Sequence, residues 1–217
     1  MADKASRSGL RYGAPEVLEY VARLHAPHDE ALQRAFDAPE GNGMPPIQVG
    51  PSEGRLMHLL LWMAGAKRVV EIGALAGYSA IWLARALPED GRLWSIECEP
   101  RHAALARRNI EGAGLSRRVT VLEGEGLDLL PRLEKEGPFD AVFIDADKGS
   151  YDRYGRWAAA HLRRGGLLLA DNAFLFGQLM EDSGEARAVR RLHEEAGEFF
   201  ETVCIGTGDG LLMGIRR

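Results

Sequence analysis

A chain of 217 residues, 46% apolar and 27% charged, is long enough for one domain with a full core and has an ordinary globular composition. Its 27 Lys and Arg against 32 Asp and Glu give a net charge of −5, which argues against wrapping nucleic acid by electrostatics alone. Cys98 and Cys204 form neither a CxxC pair nor a Cys/His cluster, so neither a disulfide framework nor a zinc site is expected, and a reducing cytoplasm fits best.

The charged start, residues 1–13, contains no apolar leader-like run, and the longest apolar stretch, LMHLLLWMAGA at 56–66, is too short to span a bilayer. Apolar residues at helical spacing (Val17, Leu18, Val21, Leu24, then Leu32, Ala35, Phe36) predict two short helices over 14–38, divided around Pro27. The segment GNGMPPIQVG reads as a loop, and Pro51-Ser52-Glu53 opens a helix to about Ala66. From residue 68 short β-rich runs alternate with amphipathic helices. The runs are RVVEIG, RLWSIE, RVTVLEG, FDAVFIDA and GGLLLADN, and the helices begin near Ser79, Pro100, Leu127 and Tyr151. Near-continuous apolar strands separated by helices mean βαβ units and a parallel sheet covered on both faces. A helix over Ala186–Ala196 follows, then EFFETVCI and GLLMGIRR, joined by a turn at 206–210 too short for a crossover. The expected fold is α/β, a seven-stranded mixed sheet, mostly parallel, closed by an antiparallel hairpin.

Ligands of open α/β sheets bind beyond the carboxyl ends of the strands. Here every parallel strand exits on acid: Glu71, then Glu97 and Glu99, Glu123 and Glu125, Asp145 and Asp147, and Asp171 beside Asn172. Such a rim suits cations better than phosphates. The first turn, EIGALAGYS, has the spacing E-x-G-x-x-x-G, which is neither GxGxxG nor a P-loop. Glu71 is charged inside an apolar strand, and Glu97 closes the next strand about 25 residues on, where an acid can hold ribose hydroxyls. A ligand with a ribose and a positive charge but no pyrophosphate fits this arrangement. S-adenosylmethionine is such a ligand, with its ammonium for Glu71, its diol for Glu97, and its carboxylate for Ser79 and the helix-start amides. A dinucleotide is the lesser alternative.

If the fourth and fifth strands are neighbours about 4.8 Å apart, Asp145 and Asp171-Asn172 converge. Two carboxylates and an amide oxygen are hard ligands, matching Mg²⁺ or Ca²⁺ rather than zinc. Lys148, three residues beyond Asp145, is a candidate general base. Asx turns and caps account for the same residues individually, and Tyr151 and Tyr154 read as core packing. His58, His161 and His193 read as structural.

EIGALAGYS, FIDADK and LLADN together resemble the cation-dependent small-molecule O-methyltransferases of the catechol and caffeoyl-CoA type, over nearly the whole chain from about residue 45. The resemblance implies a Rossmann-like class I methyltransferase, a single domain over 1–217 with residues 1–50 as a helical and loop extension and 51–217 as the cofactor-binding core. It implies S-adenosylmethionine contacts at Val49, Glu71, Gly73, Ala74, Tyr78, Ser79, Glu97, Cys98, Gly126, Asp145 and Asp147. It implies metal ligation (Mg²⁺, Ca²⁺ or Mn²⁺) by Asp145, Asp171 and Asn172, with Lys148 as base beside Asp145. The expected acceptor is an aromatic vicinal diol, and a homodimer is expected.

Departures from the family pattern bear on the substrate. Ile47 stands in place of a common Met, Gly-Glu-Gly at 124–126 in place of Gly-Asp-Ala, and the loop after LLADN is AFLFGQLMEDSG. Phe174 and Phe176 of that loop are candidates to touch an apolar aromatic acceptor, or else to pack into the core. Methylation of a hydroxylated tRNA uridine and a non-catalytic S-adenosylmethionine-binding role remain as alternatives.

Overall fold

Period-two alternation in the strands sorts side chains onto the two faces of one sheet. The computed structural model describes residues 14–217, and the charged start at 1–13 lies outside them. Seven strands, β1 Arg68–Ile72, β2 Arg92–Glu97, β3 Val119–Glu123, β4 Phe139–Ile144, β5 Leu162–Ala170, β6 Phe200–Ile205 and β7 Leu211–Arg216, lie in the order 3-2-1-4-5-7-6. The first five pair in parallel, and β7 runs antiparallel to both β5 and β6. This is the expected mixed sheet with its closing hairpin, and its order reverses between β1 and β4.

The helices in chain order are α1 Pro15–His25, α2 Glu30–Gly41, α3 Pro51–Met63, α4 Tyr78–Ala86, α5 Pro100–Gly112, α6 Gly126–Leu133, α7 Tyr151–His161 and α8 Gly184–Phe199. Val69, Phe143 and Leu169 face the layer made by α2 to α5, while Val70, Val142 and Leu168 face α6 to α8. Burying both faces leaves no polar side to the central strands, which is why they read as continuous apolar runs. Glu71 and Ser95 fall on the first of these faces, at matched positions of β1 and β2. The two N-terminal helices divide as expected at Pro27, and Asp29 caps α2 by accepting from Leu32 N at 2.9 Å.

Several boundaries differ from the sequence reading. β5 begins at Leu162 rather than Gly165, because a register shift between Phe139 and Ala141 lets Leu162 pair with Phe139. α3 stops at Met63, ahead of Gly65 at φ +60°. α8 starts at Gly184, where the Ser183 hydroxyl accepts from Ala186 N, and runs to Phe199, so β6 opens at Phe200.

Gly73 joins β1 to the cofactor loop at φ +99°, donates its N–H to Ile96 O at 2.9 Å, and leaves only 1.8 Å between a built Cβ and Asp145 O. No side chain fits there without moving the exit of β4. Gly73→Ala should therefore cost about 3 kcal/mol or more in urea unfolding of the ligand-free protein; a loss below about 0.5 kcal/mol would show that this junction tolerates a Cβ.

Candidate active site

An open cleft of about 380 Å³ lies at the reversal point between β1 and β4, the place where such sheets bind ligands. Val49, Gly73, Ala74, Tyr78, Ser79 and Glu97 line one part of it. Cys98, Gly126, Asp145, Asp147, Lys148 and Asn172 line the rest, with Phe176 at its edge. Thirteen of the sixteen expected site residues line this one cavity; Glu71, Asp171 and Phe174 do not.

Glu71 is not in the wall. It is fully buried and accepts hydrogen bonds from Ser79 Oγ and Ser95 Oγ, each at 2.5 Å. Contact with the ligand's ammonium is the expectation for Glu71; strand alternation turns its side chain under α4, outside the lining, with Ser79 bonded to it from the cleft wall. Glu97 does line the cleft, and its carboxylate braces the glycine loop. Its Oε2 accepts from Ala74 N at 3.1 Å and Leu75 N at 2.8 Å, and its Oε1 from Glu99 N at 2.9 Å. A carboxylate has about four lone-pair sites; three take these amides and the fourth faces the Cys98 thiol at 3.7 Å, the weak contact that a ribose hydroxyl would displace. Gly126 has no room for a Cβ, which would meet the Tyr154 hydroxyl at 2.8 Å. That hydroxyl in turn donates to Asp147 at 2.5 Å.

The acidic exits are thus put to different uses: Glu97 holds the loop, Glu123 pairs with Arg107 at 3.2 Å, and Asp147 accepts the Tyr154 hydroxyl's hydrogen bond. Asp145 and Asp171 are the pair that the sheet sets side by side. Ile144 is in register with Ala170, Asp145 N donates to Ile72 O at 2.8 Å, and Asp171 N donates to Ile144 O at 2.9 Å. Asp171 lies beneath the lining, 5% exposed, and its carboxyl is held well above the usual carboxylate range by burial, then by the charges of Asp145 and Glu53. Asn172, at φ +51° in the left-handed region that Asn tolerates, opens onto the cleft. Among the described residues no three His, Cys, Asp or Glu side chains cluster as a metal site; the expected set has two carboxylates and an amide.

Lys148 Nζ donates to Asp145 Oδ1 at 3.1 Å and to the Tyr151 hydroxyl at 2.6 Å, with the ammonium 4.7 Å from the centre of the Tyr151 ring. Tyr151 is completely buried, and burial, with Asp145 next, pushes its hydroxyl well above the ordinary tyrosine range. Tyr151 and Tyr154 are core residues as expected, and their hydroxyls also fix Lys148 and Asp147.

In the loop after β5, Phe176 lines the cleft and is 64% exposed, whereas Phe174 lies outside the lining. The Phe174 ring packs on Gly210, where a Cβ would come within 2.7 Å of it. Of the two expectations for Phe174, acceptor contact or packing, the structure shows packing on Gly210 with the ring still 40% exposed. Sequence reasoning also passed over His28, whose Nε2 lies 2.7 Å from the Tyr78 hydroxyl, and His102, which lines the cleft. It took Glu53 for a helix-start acid, yet Glu53 is buried and accepts from Thr207 Oγ1 at 2.8 Å. An acid followed by Gly-Arg-Leu-Met in a buried helix was the available signal.

The strand order, the E-x-G-x-x-x-G loop and a nucleoside-sized cleft at the switch point define a Rossmann-like methyltransferase. Residues 25–217 match the O-methyltransferase family. A catechol O-methyltransferase of Niastella koreensis is 43% identical over 173 residues, 79% of this chain and 78% of its own. A catechol O-methyltransferase of Mycobacterium tuberculosis is 40% identical over 186 residues, 85% of this chain and 84% of its own. The crystal structure of the O-methyltransferase from Bacillus cereus in complex with SAH (S-adenosylhomocysteine) superposes with a TM-score of 0.88 at 33% identity, covering 93% of this chain and 97% of that one. The chain belongs to the O-methyltransferase family, and its methyl donor is S-adenosylmethionine.

Burial pushes the Glu71 carboxyl up from the usual 4.5 to about 7, against the two serine hydrogen bonds that favour its charge. An acid whose pKa is raised by folding stabilises the fold below its unfolded pKa and loses that contribution as pH rises through the folded value. Stability of the ligand-free protein should therefore fall between pH 4.5 and about 7, by up to about 3 kcal/mol from this group. In Glu71→Gln that decline should flatten when unfolding is measured across the same window, and an unchanged slope would assign it to other groups.

Proposed function

We propose that this enzyme transfers the methyl group of S-adenosylmethionine to one oxygen of a vicinal diol on a small aromatic ring, with the help of a divalent cation. The observation that carries this reading is the register of β4 and β5, which sets Asp145 and Asp171 on neighbouring strand ends with Asn172 opening beside them. Hard oxygen donors fit Mg²⁺, Ca²⁺ or Mn²⁺, and like-charge crowding at Asp171 is the condition that a cation relieves. Asp145, Asp171 and Asn172 would hold the ion, which when bound supplies Lewis acidity that lowers the pKa of a chelated hydroxyl. The likeness to relatives named catechol O-methyltransferase supports the same acceptor class.

Within the cleft the chain's own groups divide the work. Glu97, beside the glycine loop, is the residue for the ribose hydroxyls, and Ser79, Tyr78 and Val49 flank the methionine portion. Cys98 and Gly126 border the adenosine side. Lys148, oriented by Asp145 and Tyr151, takes the acceptor's proton when neutral and steadies the oxyanion when charged. The acceptor oxygen forms its bond to the methyl carbon as the carbon–sulfur bond breaks, and the bonding pair stays on sulfur. Opposite charges on oxygen and sulfur cancel in this step, so positioning is the main lever, supplying up to roughly 7–11 kcal/mol.

The remaining features agree with this reading. Among the described residues no helix is long and apolar enough to cross a membrane, and both cysteines are free, in keeping with a reducing cytoplasm. Val17, Leu18, Tyr20 and Leu24 are exposed on α1, an apolar face that a second copy of the chain would cover in a homodimer. The whole chain is taken as one methyltransferase domain with residues 1–50 as its extension.

Asp171→Ala should abolish methyl transfer to catechol while S-adenosylhomocysteine still binds in calorimetry. Equal loss of both would mean that Asp171 belongs to the cofactor site. EDTA should stop the wild-type reaction, with added Mg²⁺ restoring it; turnover indifferent to chelator would remove the metal from the account. Lys148→Met should lower kcat about 10²- to 10⁴-fold with little change in either substrate's affinity, and a smaller loss in kcat would leave Lys148 only an orienting role.

A further inference from the structure

The turn between β6 and β7 does more than reverse the chain. Asp209 Oδ1 and Oδ2 lie 2.9 and 2.7 Å from Phe176 N, so the carboxylate accepts that N–H with both oxygens in reach. Its backbone carbonyl accepts from Phe174 N at 2.9 Å, and the carbonyl of Gly210 accepts from Ala173 N at 2.8 Å. Three amides of the loop after β5 are thus tied to two residues of the hairpin.

The segment so tied is one that does not hold its own shape cheaply. Leu175, Phe176 and Gly177 have φ of +50°, +53° and +81°, and each left-handed bulky residue costs roughly 1–2 kcal/mol. Released from Asp209, the Phe176 backbone would relax toward negative φ and carry its ring off the cleft edge. The turn is itself anchored at its other end, where Thr207 Oγ1 donates to Glu53 Oε1 at 2.8 Å. Glu53 lies in the first turn of α3, four residues after Val49, and Ile47–Val49 line the same cleft as Phe176.

We infer that Asp209 is a positioning residue for the methyl acceptor, holding Phe176 at the cleft edge through its backbone N–H so that the ring packs on the acceptor's ring. This rests on the aromatic-acceptor reading given above. It makes acceptor selectivity a property of the β6–β7 turn as well as of the loop that touches the acceptor.

The test is a double-mutant cycle on Asp209→Ala and Phe176→Ala, read with catechol, S-adenosylmethionine and Mg²⁺, alongside calorimetry with S-adenosylhomocysteine. Asp209→Ala should raise the acceptor KM about tenfold, the loss of one charge-assisted hydrogen bond. It should leave kcat within about threefold and S-adenosylhomocysteine affinity within about twofold. Asp209→Asn, which keeps an acceptor oxygen, should recover most of the KM. In the Phe176→Ala background Asp209→Ala should add nothing to KM, since its effect passes through the missing ring. Multiplying effects, an unchanged KM, or equal weakening of S-adenosylhomocysteine and acceptor would each overturn the assignment. Amide exchange at Phe176, followed by NMR, tests the clamp without any acceptor: faster exchange in Asp209→Ala supports it, and unchanged exchange overturns it. Wild-type protein that binds S-adenosylhomocysteine yet methylates no vicinal diol would contradict the acceptor reading instead.

Discussion

Two backbone hydrogen bonds decide where the charge in this molecule goes. Asp145 N donates to Ile72 O and Asp171 N to Ile144 O, each one rung beyond the last residues of β4 and β5, so the two carboxylates leave the sheet in register. Neither can move away without breaking a bond of the parallel ladder. Asp171, buried and crowded by Asp145 and Glu53, holds its proton well above the usual carboxylate range. The sheet therefore builds an electrostatic conflict at the carboxyl ends of two central strands, and such conflicts persist in folded proteins where the surrounding structure over-determines them.

The rest of the site is arranged around that fixed pair. Gly73 is the only residue type that lets β1 turn past the Asp145 carbonyl, and Lys148 is set against Asp145 by the Tyr151 hydroxyl. Asn172, Leu175 and Phe176 adopt left-handed backbone immediately after the pair, and Leu75 does so in the glycine loop across the cleft. Left-handed backbone borders the cavity twice, held by Glu97 at Leu75 and by Asp209 at Phe176, which is the preorganisation that the proposed positioning chemistry would use. A reaction in which charges cancel gains most from that kind of rigidity.

Much of this was legible in the sequence because buried parallel strands leave little freedom. RVVEI, FDAVFI and LLLA read as strands since both of their faces are covered, and the acids at their ends stood out against apolar runs. The same reading missed what depends on side-chain direction. Period two turns Glu71 away from the cleft, which a count of spacing alone did not resolve, and Phe174 was claimed by Gly210 through a contact 36 positions distant in the chain. Asp209 looked like an ordinary turn residue and Glu53 like a helix-start acid, because their partners, Phe176 and Thr207, lie on other elements. Local pattern gave the elements, while long-range pairing assigned Phe174, Asp209 and Glu53.

The adjacent ends of β4 and β5 are proposed above as a cation seat. It is tested most directly by a crystal structure of the protein with S-adenosylhomocysteine and Mn²⁺, in which the ion is located by its anomalous scattering. One peak is expected within bonding distance of carboxylate oxygens of Asp145 and Asp171 and of the Asn172 amide oxygen. An anomalous map with no peak there, in crystals whose cleft holds the cofactor product, would contradict it.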